Sequence, residues 1–87
     1  MPRYIIERTR PQGLSPEEAR ARAKRSLEVA DGMPGVMWIK SYVAEGKTYC
    51  EYEAPNPEAL LEHAKRAGIA ADKITLIERE IDPSMFR

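Results

Sequence analysis

The chain has 87 residues, room for one domain with a modest core. Its fourteen basic and fourteen acidic residues cancel, which argues against general nucleic-acid binding, since that rests on neutralising phosphate. Cys50 is the only cysteine, so no disulfide can form within the chain, and a lone thiol is what a protein of the reducing cytoplasm carries.

Residues 3–9 read as a strand, because Tyr4, Ile5 and Ile6 are strong strand formers. This start lacks the apolar core of a signal peptide, and no later stretch is long enough to span a bilayer, so no membrane partner is expected. Arg10-Pro11-Gln12-Gly13 is a loop. Ser15-Pro16-Glu17-Glu18 then opens a helix, with Ser15 as cap, Pro16 at the first helical position and Glu18 closing a capping box. Ala19, Ala23, Leu27 and Ala30 recur at helical spacing and predict a narrow buried stripe. Asp31-Gly32 and Pro34-Gly35 end that helix.

Residues 36–43 and 48–54 read as a hairpin around Glu45-Gly46. A two-residue turn there faces Ala44 to Lys47, Tyr42 to Tyr49, Lys40 to Glu51 and Trp38 to Glu53. Ser41 then meets Cys50 and Ile39 meets Tyr52, and the opposite charges of Lys40 and Glu51 favour this register. Asn56-Pro57 caps a second helix whose buried stripe is Leu60, Ala64 and Ala67, with Leu61 and His63 beside it, and Gly68 closes it. Residues 73–81 read as the last strand, Asp82-Pro83 ends it, and residues 84–87 form a fraying tail.

The order is strand-helix-strand twice over, which predicts a ferredoxin-like βαββαβ domain of the α+β class: a four-stranded antiparallel sheet with two helices on one face. The hairpin register divides its side chains between two faces. Met37, Ile39, Val43, Cys50, Tyr52 and Ala54 are assigned to the helix-covered core. Val36, Trp38, Tyr42 and Tyr49 fall on the open face with Lys40, Glu51 and Glu53. Exposed aromatics on an open sheet mark an interaction surface, so a homodimer joined through Trp38, Tyr42 and Tyr49 is the expected state.

Several blocks carry a family resemblance: Tyr4-Ile5-Ile6-Glu7-Arg8, Trp38-Ile39-Lys40-Ser41-Tyr42-Val43, residues 47–55 with Tyr-Cys-Glu-Tyr-Glu-Ala-Pro, Glu62-His63-Ala64 to Ala67-Gly68, and Ile81-Asp82-Pro83. Together they resemble a family of small bacterial domains catalogued as of unknown function, some of whose members are called nickel-binding proteins. The resemblance covers nearly the whole chain. It implies a ferredoxin-like dimer and binding of nickel or another divalent transition metal.

Three residues are the metal candidates. His63, the only histidine, can ligate a metal or carry a proton near neutral pH, or sit half-buried at the core edge as a packing residue. Cys50 is a soft ligand when deprotonated, or a small inert apolar residue on the core face. Glu7 lies on a central strand, where a carboxylate needs a partner or water: it can serve as a metal ligand or general base, or form a salt bridge across the open face to Lys40 or a partner subunit. Glu51, Glu53, Glu78 and Glu80 could form an oxygen-rich site or simply solvate strand faces. Arg20, Arg22, Lys24 and Arg25 read as a solvated helix face, with Glu18 placed to pair with Arg22. No glycine loop is built to cradle a phosphate, so no organic cofactor is expected, and no catalytic motif is present. The readings that follow are a dimeric metal-binding protein, a barrel-type enzyme or ligand-binding module with a pocket lined by Trp38, Tyr42 and Tyr49, and an interaction module.

Overall fold

Strand β1 (Arg3–Thr9) lies inside a four-stranded sheet whose order is β2 (Met37–Ala44), β3 (Lys47–Glu53), β1, β4 (Lys73–Leu76), seen in a computed structural model that describes residues 1–87. Alternate side chains of a strand share a face, and here Tyr4, Ile6 and Arg8 are the buried set. The hairpin of β2 (Met37–Ala44) and β3 (Lys47–Glu53) turns at Glu45-Gly46, where Gly46 takes a φ of 75° that a side chain would strain. β4 (Lys73–Leu76) pairs with the other edge of β1, and every pairing is antiparallel.

Both helices start where the cap residues stand. Helix α1 (Pro16–Asp31) has the full capping box: the Ser15 hydroxyl accepts from the Glu18 amide at 3.1 Å, and the Glu18 carboxylate accepts from the Ser15 amide at 3.2 Å. Helix α2 (Pro57–Ala67) begins with Asn56 Oδ1 accepting from the Ala59 amide at 2.9 Å, and ends at Gly68 in the left-handed region. Its inner face carries Leu60, His63, Ala64 and Ala67, all buried. With Tyr4, Ile6, Ala30, Val36, Cys50, Tyr52 and Ala54 they form the core between helices and sheet. The ferredoxin-like expectation therefore holds.

Four details differ from the expectation. The hairpin register is as read from Ala44–Lys47 back to Lys40–Glu51, but a β-bulge at Ile39 then pairs Trp38 with Tyr52 and Met37 with Glu53. One extra residue reverses the alternation, so Trp38 and Val36 turn to the helix side, while Met37 and Ile39 are 56% and 38% exposed. Strand β4 stops at Leu76, opposite Tyr4, because its partner β1 begins at Arg3; one more bond, Ile77 N–H to Arg3 O at 2.9 Å, closes the ladder. Glu78 and Glu80 therefore lie beyond the sheet. Residues Pro83–Phe86 form a short 3-10 turn, capped by Asp82 through the Ser84 amide at 2.8 Å, instead of a frayed tail. Finally, α1 buries Ser26 and Ala30, whereas Ala19, Ala23 and Leu27 are exposed. The first half of α1 covers less of the sheet than the amphipathic pattern implies, and a cleft opens beneath it.

Candidate functional site

The cleft measures about 980 Å³. The loop before α1 and the first turns of that helix form one wall, with Leu14, Ala19 and Ala23. The helix-facing side of the hairpin forms the other, with Trp38, Ser41, Val43, Cys50 and Tyr52. The bulge at Ile39 is what puts Trp38 here: its ring stacks on Tyr52 with centroids 6.4 Å apart, and its Nε1–H donates to Ser41 Oγ at 2.8 Å.

A buried polar group lies behind this wall. Tyr52 is 1% exposed, and its hydroxyl is 3.0 Å from Ser26 Oγ. His63 Nε2 is 2.9 Å from the Ser26 carbonyl oxygen, which can only accept, so Nε2 carries the proton. Nδ1 then presents a lone pair with no partner. The His63 ring tilts against Tyr52 with centroids 5.2 Å apart. Burial lowers the His63 pKa, the Arg8 charge lowers it further, and the bond to Ser26 opposes them. Burial raises the Tyr52 pKa, against the Ser26 bond and the Arg8 charge, so both rings are neutral. Arg8 completes the group. Its guanidinium carbon sits 5.7 Å from the Tyr52 ring centre, Nη1 donates to the Ala70 carbonyl, and Nη2 is buried without a partner.

The three metal candidates are not brought together. His63 is fully buried on the inner face of α2, and Cys50 is 5% exposed on the cleft floor. Glu7 is half-buried on the opposite face of the sheet, in register with Tyr49 and Lys73. No three His, Cys, Asp or Glu side chains converge anywhere in the chain. His63 has the right protonation state for a ligand and a free Nδ1, yet one imidazole falls short of the several donors a transition metal takes. A nickel centre does not fit within a single chain. The acidic set is dispersed as well: Glu51 pairs with Arg3 at 2.8 Å, and Glu80 reaches the same arginine at 3.7 Å from beyond the sheet.

The aromatic trio divides too. Tyr42 and Tyr49 face each other on the open side, with Tyr42 62% exposed and Lys40 Nζ 5.9 Å from its ring centre, while Trp38 belongs to the cleft. On α1, Arg25 donates to the Arg66 carbonyl at 3.2 Å, and the expected Glu18–Arg22 ion pair does not form: Glu18 is engaged in the capping box. Arg8, Ser26 and Tyr52 were not anticipated as site residues. The signal for Arg8 was available, since it follows Tyr4 and Ile6 at the two-residue period of a buried face.

Comparison with known proteins agrees with this fold. The model of the family described as "Nickel responsive protein SCO4226-like" matches residues 4–77. The chain belongs to that family. The crystal structure of SCO4226 from Streptomyces coelicolor A3(2) superposes with a TM-score of 0.77, at 22% identity, covering 91% of this chain and 99% of that one. Among proteins of curated function, none matches. Membership of the SCO4226-like family bears out the resemblance read from the Tyr-Cys-Glu-Tyr-Glu-Ala-Pro and Glu-His-Ala blocks, and the superposition bears out the fold. No helix is long and apolar enough to cross a membrane.

Proposed function

We propose that this protein takes part in a nickel response by binding the metal, and that it does so as a homodimer with ligands from both chains. The observation that carries the reading is the match to the nickel responsive family over residues 4–77. The dispersal of His63, Cys50 and Glu7 within one chain supports the second half: a set too sparse in one copy is doubled by a two-fold axis. The open sheet face suits the contact. Tyr42, Met37 and Ile39 are exposed on or beside it, and each buried aromatic can remove roughly 150–250 Å² from water. Of the three, Glu7 alone lies on that face, whereas His63 is enclosed and already donates to Ser26. We therefore assign Glu7 to the metal and give His63 and Cys50 packing roles. Calorimetric titration with nickel tests this on the wild type, Glu7→Gln and His63→Gln. Binding in the wild type that weakens about tenfold in Glu7→Gln and persists in His63→Gln agrees with the assignment; a tenfold loss corresponds to about 1.4 kcal/mol. Loss in His63→Gln alone moves the site beneath α2, and no binding in the wild type ends the nickel reading.

A further inference from the structure

We propose that the cleft beneath α1 binds a small organic carboxylate, with Arg8 as its anchor. The starting point is a buried charge with no carboxylate in contact; the nearby Asp72 is exposed and held by Thr9. Arg8 is 7% exposed, and its guanidinium donates to the Ala70 carbonyl and lies beside the Tyr52 hydroxyl. A buried cation is costly when it is neither paired nor fully hydrogen-bonded, and Nη2 is buried with no partner at all. A guanidinium has five N–H donors, and this packing leaves several of them for an anion. The residue lines the cleft, as do Arg10 and Arg22, against one acid, Glu45. The site is thus electropositive in a chain of zero net charge.

The rest of the cleft narrows the ligand class. Trp38, Val43, Cys50, Leu14 and Ala23 give an apolar lining with an aromatic floor. Inorganic phosphate would satisfy Arg8 and leave that lining wet. A molecule with a flat or aliphatic body and one carboxylate covers both, and the planar guanidinium matches carboxylate geometry. The volume of about 980 Å³ lies at the upper end of small-molecule sites, which run to about 1,000 Å³. This goes beyond the nickel reading and is independent of it, because Glu7 lies on the other face of the sheet.

Trp38 is the only tryptophan and lines the cleft, so its fluorescence reports occupancy. The wild type is titrated with benzoate, with benzyl alcohol as a neutral analogue, and with inorganic phosphate. Arg8→Gln and Ala23→Glu are titrated with benzoate; the second substitution puts a negative charge on an exposed position of the cleft wall and should leave folding intact. The expected result is a saturable response to benzoate that benzyl alcohol and phosphate lack, weakened about tenfold or more in Arg8→Gln, as for a lost charge-assisted hydrogen bond, and likewise in Ala23→Glu. If Arg8→Gln does not fold, Ala23→Glu and the three ligands decide. No saturable response to benzoate overturns the proposal, as does benzyl alcohol or phosphate binding equally well, or benzoate affinity unchanged in the variants.

Discussion

Acidification should weaken the fold through His63, by an amount its burial bounds. In the unfolded chain the imidazole takes up a proton near its ordinary value of 6.5. In the folded chain it stays neutral to lower pH, because it is fully buried and near the Arg8 charge, while the bond from Nε2–H to Ser26 O only partly offsets this. Between the two values the unfolded chain binds more protons, so stability is complete above about pH 6.5 and is lost as pH falls below it. The slope cannot exceed about 1.4 kcal/mol per pH unit for one group. A chain of this length has about 4–13 kcal/mol in all, so one pH unit removes a measurable share. Urea unfolding followed by Trp38 fluorescence, from about pH 7.5 to about pH 5.5, measures the effect in wild type and His63→Gln. Glutamine can keep an N–H donor for Ser26 and cannot titrate. Asp72 and Asp82, whose pKa values are lowered by hydrogen bonds from Thr9 and Ser84, act only below about 3.8 and leave this window clear. Wild-type stability should fall across the window and His63→Gln should stay flat. Parallel curves for the two proteins would show that His63 is not the titrating group.

Other outcomes test the packing and the interface. Ser15→Ala removes a capping hydroxyl and should cost about 1 kcal/mol in urea unfolding. Leu60→Ala, at a fully buried position, should cost about 2–5 kcal/mol, enough to bring the chain near its stability limit. Tyr42→Asp, on the open face, should leave the fold intact by circular dichroism and shift light scattering toward one chain mass. Trp38→Asp should instead lower the melting temperature, because it breaks the stack on Tyr52.

Much of the fold was legible because local chemistry and tertiary structure agree. Ser15-Pro16 and Asn56-Pro57 start helices by their own hydrogen bonds, and Glu45-Gly46 sets a register that holds as far as Lys40–Glu51. The bulge at Ile39 was not legible, since one unpaired residue leaves no mark in a run of strand formers, and it moved Trp38 from the expected interface into the cleft. The stripe on α1 misled for a related reason: small residues at helical spacing are compatible with a packed face or with an open one. The residue types that suggest chemistry, His63, Cys50 and Glu7, are visible in the sequence, but the topology sets them on two faces of the sheet. Arg8 is hard to recognise in the sequence because a charged residue near a strand end usually points to water, although its period with Tyr4 and Ile6 marks the buried face.

The nickel reading rests on two chains acting as one unit, and native mass spectrometry with added nickel examines both halves at once. The expected species has two chains, carries nickel in fixed proportion and loses it when Tyr42→Asp separates the chains. A metal-free monomer, or a monomer that takes up nickel by itself, would contradict the nickel reading.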